Sequence, residues 1–191
     1  MPHAALPSEY EGPLSMIFCN DAERAYQIRL GLGRIPGVLV DFICKQGVQF
    51  AVLSRRSTPS RTIGQWYPGD HDLDYAPGRP SFDAAAGWYD PANRLIAVTR
   101  SRDPERTVIH EVGHALDYLL YEGTQVNVQR HFRPGHAVTP YGNTNPAEFW
   151  AEAFRVRYHP GALKQDAREA IHRAAPAVLE TIEALPMLVA C

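Results

Sequence analysis

The sequence predicts a single α+β domain, in which a small mixed sheet precedes a run of helices. Three observations lead to this prediction. The 191 residues are the length of one domain. Short apolar segments bounded by turn residues lie before residue 100, whereas segments with helical spacing and capping residues follow it. Strands followed by helices, rather than strands alternating with helices, are typical of an α+β arrangement.

The first helix is predicted to follow a lead-in segment. Residues 1–19 contain three prolines and are expected to be extended. Asn20 or Asp21 can cap a helix that runs to about Leu32, because apolar residues recur there at helical spacing. We therefore expect one domain over residues 1–191, with its first helix close to the N-terminus.

Two hairpins are predicted to form the sheet. Residues 38–43 and 48–53 are both short, apolar and rich in β-branched side chains, which favours two buried strands joined by a turn. Residues 87–89 and 95–98 flank the turn sequence Asp90-Pro91-Ala92-Asn93, which favours a second hairpin.

Four helices are predicted in the C-terminal half. Asp103-Pro104-Glu105 provides an N-cap, a proline at the first helical position and an acid in the first turn, so we expect a helix from here to Tyr121. Asn145-Pro146 starts a second helix in the same way. Two further helical stretches are expected over residues 162–174 and 177–185.

Composition argues against several classes of protein. Lys and Arg number 19 against 21 Asp and Glu, without a basic run, so nucleic acid is not an expected partner. No window of 18 apolar residues predicts a membrane span. The three cysteines, Cys19, Cys44 and Cys191, are odd in number and lack a C-x-x-C pair. They do not predict a disulfide framework or a cysteine zinc site, although one bridge between Cys19 and Cys44 stays open.

Residues 1–18 do not resemble a secretory signal peptide, because no basic segment precedes an apolar one. If the sequence is full length, we expect a cytoplasmic protein or one secreted without a leader. If a signal peptide has been removed, we expect a secreted protein.

The run His110-Glu111-Val112-Gly113-His114 carries the strongest chemical signal. The two histidines are four residues apart, so they project from one face of a helix and can bind one divalent ion. Glu111 is rotated by about 100° from His110 and is placed to act on water beside the ion. Gly113 is unfavourable inside a helix and indicates a closely packed neighbouring backbone. The alternative is a buried helix whose histidines bond to backbone or carboxylate groups.

A catalytic zinc site needs a third protein ligand. The candidates downstream are His131, His136, Glu148, Glu152 and His159. A metzincin is excluded, because Asp117 and Leu120 occupy the places of its glycine and third histidine. Chemistry alone leaves Glu148 and Glu152, one helical turn apart, equally good candidates, with the other bracing a histidine. Glu148 is also placed to complete a capping box with Asn145.

The run from His110 to Asp117, together with Tyr-Gly-Asn-Thr-Asn-Pro-Ala-Glu-Phe-Trp-Ala-Glu-Ala-Phe from Tyr141 to Phe154, resembles a known family. The two runs are similar to the anthrax lethal factor protease domain and to the bacterial proline–proline endopeptidases of the same fold. The resemblance covers about residues 104–158. It implies a zincin-like metalloprotease domain of the gluzincin type.

The resemblance also implies individual roles. Glu148 is then the third ligand of one zinc ion, beside His110 and His114. Tyr141 is the tyrosine that donates to the developing oxyanion. Glu152 is a carboxylate that contacts a ligand rather than the ion.

The predicted function is zinc-dependent hydrolysis of peptide or protein substrates, with Glu111 as general base. Trp88, Tyr89 and the strand over residues 94–99 are candidates to bind the substrate backbone as an added strand. Sheet core is the alternative for this segment, and it is favoured for Leu95 and Val98. Asp117, one turn after His114, either orients a ligand or caps a polar patch.

Two other functions stay open. The chain could be a cytosolic regulatory zinc protease or effector that cleaves one dedicated partner. It could also be a non-catalytic zinc-binding module. The intact Glu111 argues against the module, since a purely structural site has no use for a free carboxylate beside the metal.

Overall fold

The computed structural model describes residues 16–19, 21–54, 56, 85–121, 132–159, 161 and 166–190. Its strands are β1 (Met16–Cys19), β2 (Gln49–Val52), β3 (Gly87–Asp90) and β4 (Leu95–Val98). Its α-helices are α1 (Ala22–Leu32), α2 (Gly37–Lys45), α3 (Pro104–Tyr121), α4 (Pro146–Tyr158), α5 (Ala167–Ala174) and α6 (Pro176–Val189). The predicted α+β fold with a small mixed sheet is confirmed.

The four strands form one sheet in the order β1-β2-β4-β3. β2 pairs in parallel with β1 and with β4, and Gln49 lies opposite Leu95. β3 pairs antiparallel with β4, with Gly87 opposite Val98, which confirms the predicted second hairpin. Among the described strands β3 therefore lies at the edge of the sheet, and the site described below lies beside it.

The prediction of a strand over residues 38–43 is wrong, because this segment lies in helix α2. Leu39 and Ile43 are four residues apart and fully buried, so the apolar run packs as one face of a helix. A short apolar run does not distinguish a buried strand from a buried helix by its period alone. The predicted first hairpin is consequently absent from residues 37–54, and β2 finds its partners on β1 and β4 instead.

The remaining helices begin and end close to the predicted positions. α1, α3 and α4 have the expected starts, and Asp21 accepts a hydrogen bond from Arg24 N–H as the N-cap of α1. α6 starts at Pro176, one residue before the predicted stretch 177–185, and continues past it to Val189. α3 reaches Tyr121, its predicted last residue. Residues 162–165 of the predicted stretch 162–174 lie outside the described residues.

Helix α3 is the central element of the core. It packs against α1, α4 and strands β3 and β4. At Gly113 the backbones of α3 and α4 come so close that an added Cβ would lie 3.1 Å from the Cα of Ala151. The Trp150 indole N–H donates to the Gly113 carbonyl at 2.7 Å. The predicted close approach at Gly113 is therefore present, and it fixes α4 against the His110–His114 turn.

Two further sequence expectations concern cysteines and membranes. Cys19 and Cys44 are free thiols, so the bridge left open by the sequence is not formed. Within the described part of the chain, none of the helices combines the length and the apolar character needed to cross a bilayer.

Candidate active site

Helix α3 presents His110, Glu111 and His114 next to the edge of the sheet. Its N-terminus is capped by Asp103, whose carboxylate accepts from Arg106 N–H at 3.1 Å. The flanking residues Val108, Ile109, Val112 and Leu116 are fully buried in the core. His110 and Glu111 are themselves 8% and 5% exposed, so these polar groups depend on partners within the protein.

Helix α4 presents Glu148 and Glu152 to the same place. Asn145 is its N-cap and accepts from Glu148 N–H at 3.0 Å, with Pro146 at the first helical position. This cap places Glu148 in the first turn and Glu152 one turn later, on the face that packs against α3. The backbone half of the proposed capping box is present, whereas Oε2 of Glu148 faces the two histidines.

Three ligand atoms converge between the two helices. Nε2 of His110 lies 3.0 Å from Oε2 of Glu148 and 3.1 Å from Nε2 of His114. Nε2 of His114 lies 3.5 Å from the same oxygen. Ligands placed tetrahedrally around zinc at 2.0–2.1 Å would be separated by about 3.3–3.4 Å. His110, His114 and Glu148 therefore form a group that could bind a metal ion.

The chemistry of these atoms also fits a cation. Nδ1 of His110 is 3.0 Å from the Glu152 carboxylate and donates to it, so Nε2 is the ring nitrogen that faces Glu148 and His114. Oε2 of Glu148 is buried and lies within 3.5 Å of both histidine Nε2 atoms. A single proton can bridge only two of the three atoms, His110 Nε2, His114 Nε2 and Glu148 Oε2, at a time. A divalent ion would serve all three donor atoms, so the set fits a metal.

The pKa shifts of the site residues agree with this interpretation. Burial favours neutral His110, but contacts with Glu148 and Glu152 outweigh it and raise the pKa of His110 to about 10. Burial opposes ionisation of Glu148 as well, yet the neighbouring His110 and His114 hold its pKa well below the usual range. The pocket thus stabilises positive charge at the point where the three ligand atoms meet.

Glu152 has a full set of hydrogen-bond partners. Besides His110, it accepts from Arg155 Nε at 2.8 Å, from Arg155 Nη2 at 2.9 Å and from Thr139 Oγ1 at 2.5 Å. Burial raises the pKa of this carboxyl, but the partners prevail and hold it well below its usual range. Glu152 is therefore an ionised carboxylate that orients His110.

Sequence reasoning missed Arg155 and Thr139 as partners of Glu152. Arg155 is buried on the same helix, three residues after Glu152, and this spacing could have indicated the pair. Thr139 reaches the carboxylate from a loop, and no signal in the sequence indicated its position.

Glu111 lies against strand β3. Its carboxylate accepts a hydrogen bond from the backbone N–H of Tyr89, and burial raises its pKa even though His110 and His114 lower it. A Cβ added at Gly87 would lie 3.1 Å from Oε1 of Glu111 and 2.6 Å from the Thr107 methyl. Glycine at residue 87 therefore leaves the space that the Glu111 carboxylate needs at the sheet edge.

Tyr141 stands on a 3₁₀ turn (Tyr141–Asn143) at the mouth of the site. Its ring centroid lies 5.8 Å from that of His110, and 56% of the residue is exposed. Partial burial and the nearby carboxylates of Glu148 and Glu111 raise the pKa of its phenol. The hydroxyl therefore stays protonated at neutral pH and acts as a hydrogen-bond donor, with the Glu148 carboxylate as its acceptor.

A cleft of about 500 Å³ opens over these groups. His110, Glu111 and Tyr141 line it, and Gly87, Arg102 and Arg106 contribute to its walls. The two catalytic candidates, Glu111 and Tyr141, thus face a space large enough for several atoms of a substrate.

The other predicted residues lie around this centre. Trp88 is 3% exposed and belongs with Leu95 to a small apolar cluster on the sheet, as the sheet-core alternative predicts. Tyr89 is partly buried, with its ring centroid 5.8 Å from that of Tyr118. Contact of Trp88 or Tyr89 with a substrate stays a prediction, and the buried indole makes it less favourable for Trp88.

Asp117 and the remaining histidines are not part of the three-atom group. Asp117 is 2% exposed, and its charge contributes to the raised pKa of Tyr121, so both alternatives for it stay open. His159 lies 3.4 Å from the Glu105 carboxylate. His136 is exposed. His131 lies outside the described residues.

Comparisons with known proteins agree with the predicted resemblance. No protein-family model matches the chain. Over 89 residues the chain is 36% identical to the lethal factor of Bacillus anthracis, with 38% of this chain and 11% of that protein covered. The solved structure of the Pro-Pro endopeptidase PPEP-2 from Paenibacillus alvei matches 89% of this chain and 96% of its own, with a TM-score of 0.62 and 16% identity. The chain thus resembles lethal factor in sequence and shares the fold of a Pro-Pro endopeptidase.

Proposed function

We propose that this chain is a zinc-dependent endopeptidase. The observation that carries the proposal is the convergence of His110 Nε2, His114 Nε2 and Glu148 Oε2 at distances of 3.0–3.5 Å. A buried carboxylate, Glu111, lies beside these atoms, and a cleft opens above them. Likeness to lethal factor and to a Pro-Pro endopeptidase supports the same assignment.

Zinc is the proposed metal because two imidazoles and one carboxylate form a donor set typical of catalytic zinc. His110, His114 and Glu148 would hold it. A bound zinc ion supplies a Lewis acid that acidifies water and polarises a carbonyl group. Glu152 keeps His110 in the tautomer whose Nε2 faces the ion.

Glu111 is the proposed general base. Its carboxylate is buried and oriented by the Tyr89 N–H, and burial raises its pKa above the usual value. It would accept a proton from the attacking water and return a proton to the leaving amine. Tyr141 would donate its hydroxyl proton to the oxygen on which negative charge develops.

The substrate is proposed to be a peptide that lies along β3. This strand is an edge strand, so its outward backbone groups are positioned to add an extended peptide. The structural neighbour is described as a Pro-Pro endopeptidase, which makes peptides with consecutive prolines a reasonable part of any substrate screen.

The test is a mass-spectrometric screen of a diverse peptide library with zinc-loaded protein. The library would include Pro-Pro peptides, and Glu111→Gln would be the matched control. New termini that arise with the wild type but not with Glu111→Gln would support the proposal. Equal cleavage by both proteins would contradict the role of Glu111. No cleavage by protein with confirmed bound zinc would contradict a general endopeptidase and favour a dedicated partner or a non-catalytic module.

A further inference from the structure

The Thr139 hydroxyl connects the loop that carries Tyr141 to the carboxylate of Glu152. Thr139 Oγ1 donates to Oε2 of Glu152 at 2.5 Å. Thr139 Oγ1 also accepts a hydrogen bond from the backbone N–H of Gly142 at 3.1 Å. Gly142 directly follows Tyr141, so the hydroxyl joins the tyrosine turn to the carboxylate that orients His110.

The Glu152 carboxylate is itself held in place by hydrogen bonds. Its two oxygens accept from His110, from Thr139 and twice from Arg155, and the Arg155 side chain is itself 5% exposed. A buried carboxylate with four donors has little freedom to rotate. Its Oε1 is committed to His110, and its Oε2 faces the loop.

The Tyr141 side chain needs such a connection. It is 56% exposed and stands on a turn of three residues, so packing alone holds it weakly, and its position depends on the hydrogen bond of its hydroxyl to Glu148 and on the placement of its backbone. Gly142 packs closely, since an added Cβ would lie 3.2 Å from the Ala137 Cβ and 3.4 Å from the Glu152 Cβ. The backbone beside Tyr141 is therefore held against α4, and the Thr139 hydroxyl is the directional bond in that contact.

We propose that Thr139 is a positioning residue that fixes the Tyr141 hydroxyl relative to the metal-binding group, through its paired hydrogen bonds to Glu152 and Gly142. Thr139 does not contact the ligand atoms or the substrate. It acts on catalysis through Tyr141, because a hydroxyl that stabilises developing charge must stand within hydrogen-bond reach of that charge. The inference rests on the proposed function for its kinetic test, but not for its spectroscopic test.

The kinetic test compares Thr139→Val with Thr139→Ser. Valine keeps the shape and removes both hydrogen bonds, whereas serine keeps the hydroxyl. We expect Thr139→Val to lower kcat by about 10-fold or more with little change in KM, since a displacement of about 1 Å can cost about 10²-fold. Thr139→Ser should retain most of the activity. Zinc affinity should fall by less than about 10-fold. A loss of about 10-fold or more is typical when the carboxylate that hydrogen-bonds a metal ligand is itself removed.

A double-mutant cycle separates positioning from general damage. In a Tyr141→Phe background, Thr139→Val should lower kcat by no more than about 2-fold further, because the hydroxyl it positions is already absent. Independent, multiplying losses in the double variant would overturn the proposal. So would a Thr139→Val enzyme with unchanged kcat.

A spectroscopic test does not require activity. The nine tyrosines would be replaced by 3-fluorotyrosine, and the ¹⁹F signal of Tyr141 assigned by its loss in Tyr141→Phe. We expect Thr139→Val to shift or broaden this signal and Thr139→Ser to leave it near its wild-type position. An unchanged Tyr141 signal in a folded Thr139→Val protein would refute the inference. If the wild type cleaves no peptide, the proposed function fails while this measurement still decides the role of Thr139.

Discussion

Replacing Glu152 by glutamine tests the hydrogen-bond network behind the candidate metal site. The substitution keeps size and shape but removes the charge and turns one acceptor oxygen into a donor. The carboxylate now accepts four hydrogen bonds, from His110, Thr139 and Arg155, so at least one donor would face a donor in the variant. Arg155, 4% exposed, would lose the carboxylate that it pairs with.

The expected loss of stability follows from this burial. Removing one partner of a buried ion pair costs about 3–5 kcal/mol. For a chain of this size, each kcal/mol lowers Tm by about 2–4 °C, so Glu152→Gln should unfold about 6–20 °C below the wild type. Zinc affinity should fall by about 10- to 100-fold, because His110 loses the group that fixes its tautomer.

The pH dependence has a definite sign. Glu152 has a folded-state pKa below its unfolded value, so it stabilises the fold fully above about pH 4.3. That contribution is lost as the pH falls from there toward the lowered folded-state pKa. The difference in unfolding free energy between wild type and Glu152→Gln should therefore be full at pH 7 and shrink below about pH 4.

Thermal unfolding and a zinc titration against a competing chelator provide the measurements. The double variant Glu152→Gln/Arg155→Met is the control. Removing both charges should cost less stability than Glu152→Gln alone, which leaves the buried arginine without its carboxylate. A Glu152→Gln protein with wild-type Tm and wild-type zinc affinity would refute the assignment of this carboxylate. The assignment would also be refuted if the double variant lost more stability than the two single variants lose together.

Two further predictions concern helix α3. His114→Ala should lose most of the bound zinc, measured as metal per chain by mass spectrometry after dialysis, because one of three ligand atoms is removed; a stoichiometric metal content in a folded variant would contradict the ligand assignment. Gly113→Ala should destabilise the protein by about 1–3 kcal/mol, because its Cβ would lie 3.1 Å from the Ala151 Cα of helix α4. Gly37→Ala is the matched control, since a Cβ there meets no atom within 4 Å, and it should be neutral or stabilising. Equal stability of the two glycine variants in chemical denaturation would refute the close-packing argument.

The local part of the site could be predicted from the sequence, because it depends on helix geometry alone. The spacing of His110 and His114 determines that both rings leave one face of α3. Capping residues located the starts of α3 and α4 for the same reason. Gly113 was informative because a glycine in a buried helix needs a tertiary cause.

The tertiary part could not be predicted. Thr139 approaches Glu152 from a loop thirteen residues away in sequence, and neither periodicity nor capping specifies such a contact. The segment in α2 shows a second limit. Its apolar run was assigned to a strand, and only the core around Leu39 and Ile43 decides in favour of a helix.

Glu148 and Glu152 were equal candidates for the third ligand when only their chemistry was considered. Their surroundings in the structure are different. Each oxygen of Glu152 accepts two hydrogen bonds from side chains of the protein, so neither has a lone pair directed at the two Nε2 atoms. Glu148 has one oxygen that is buried and lies within 3.5 Å of both histidine nitrogens. A buried carboxylate oxygen beside two imidazole nitrogens needs a positive charge, and a divalent ion shared by all three atoms supplies it. This asymmetry favours Glu148 as the ligand and Glu152 as its support, independently of any resemblance.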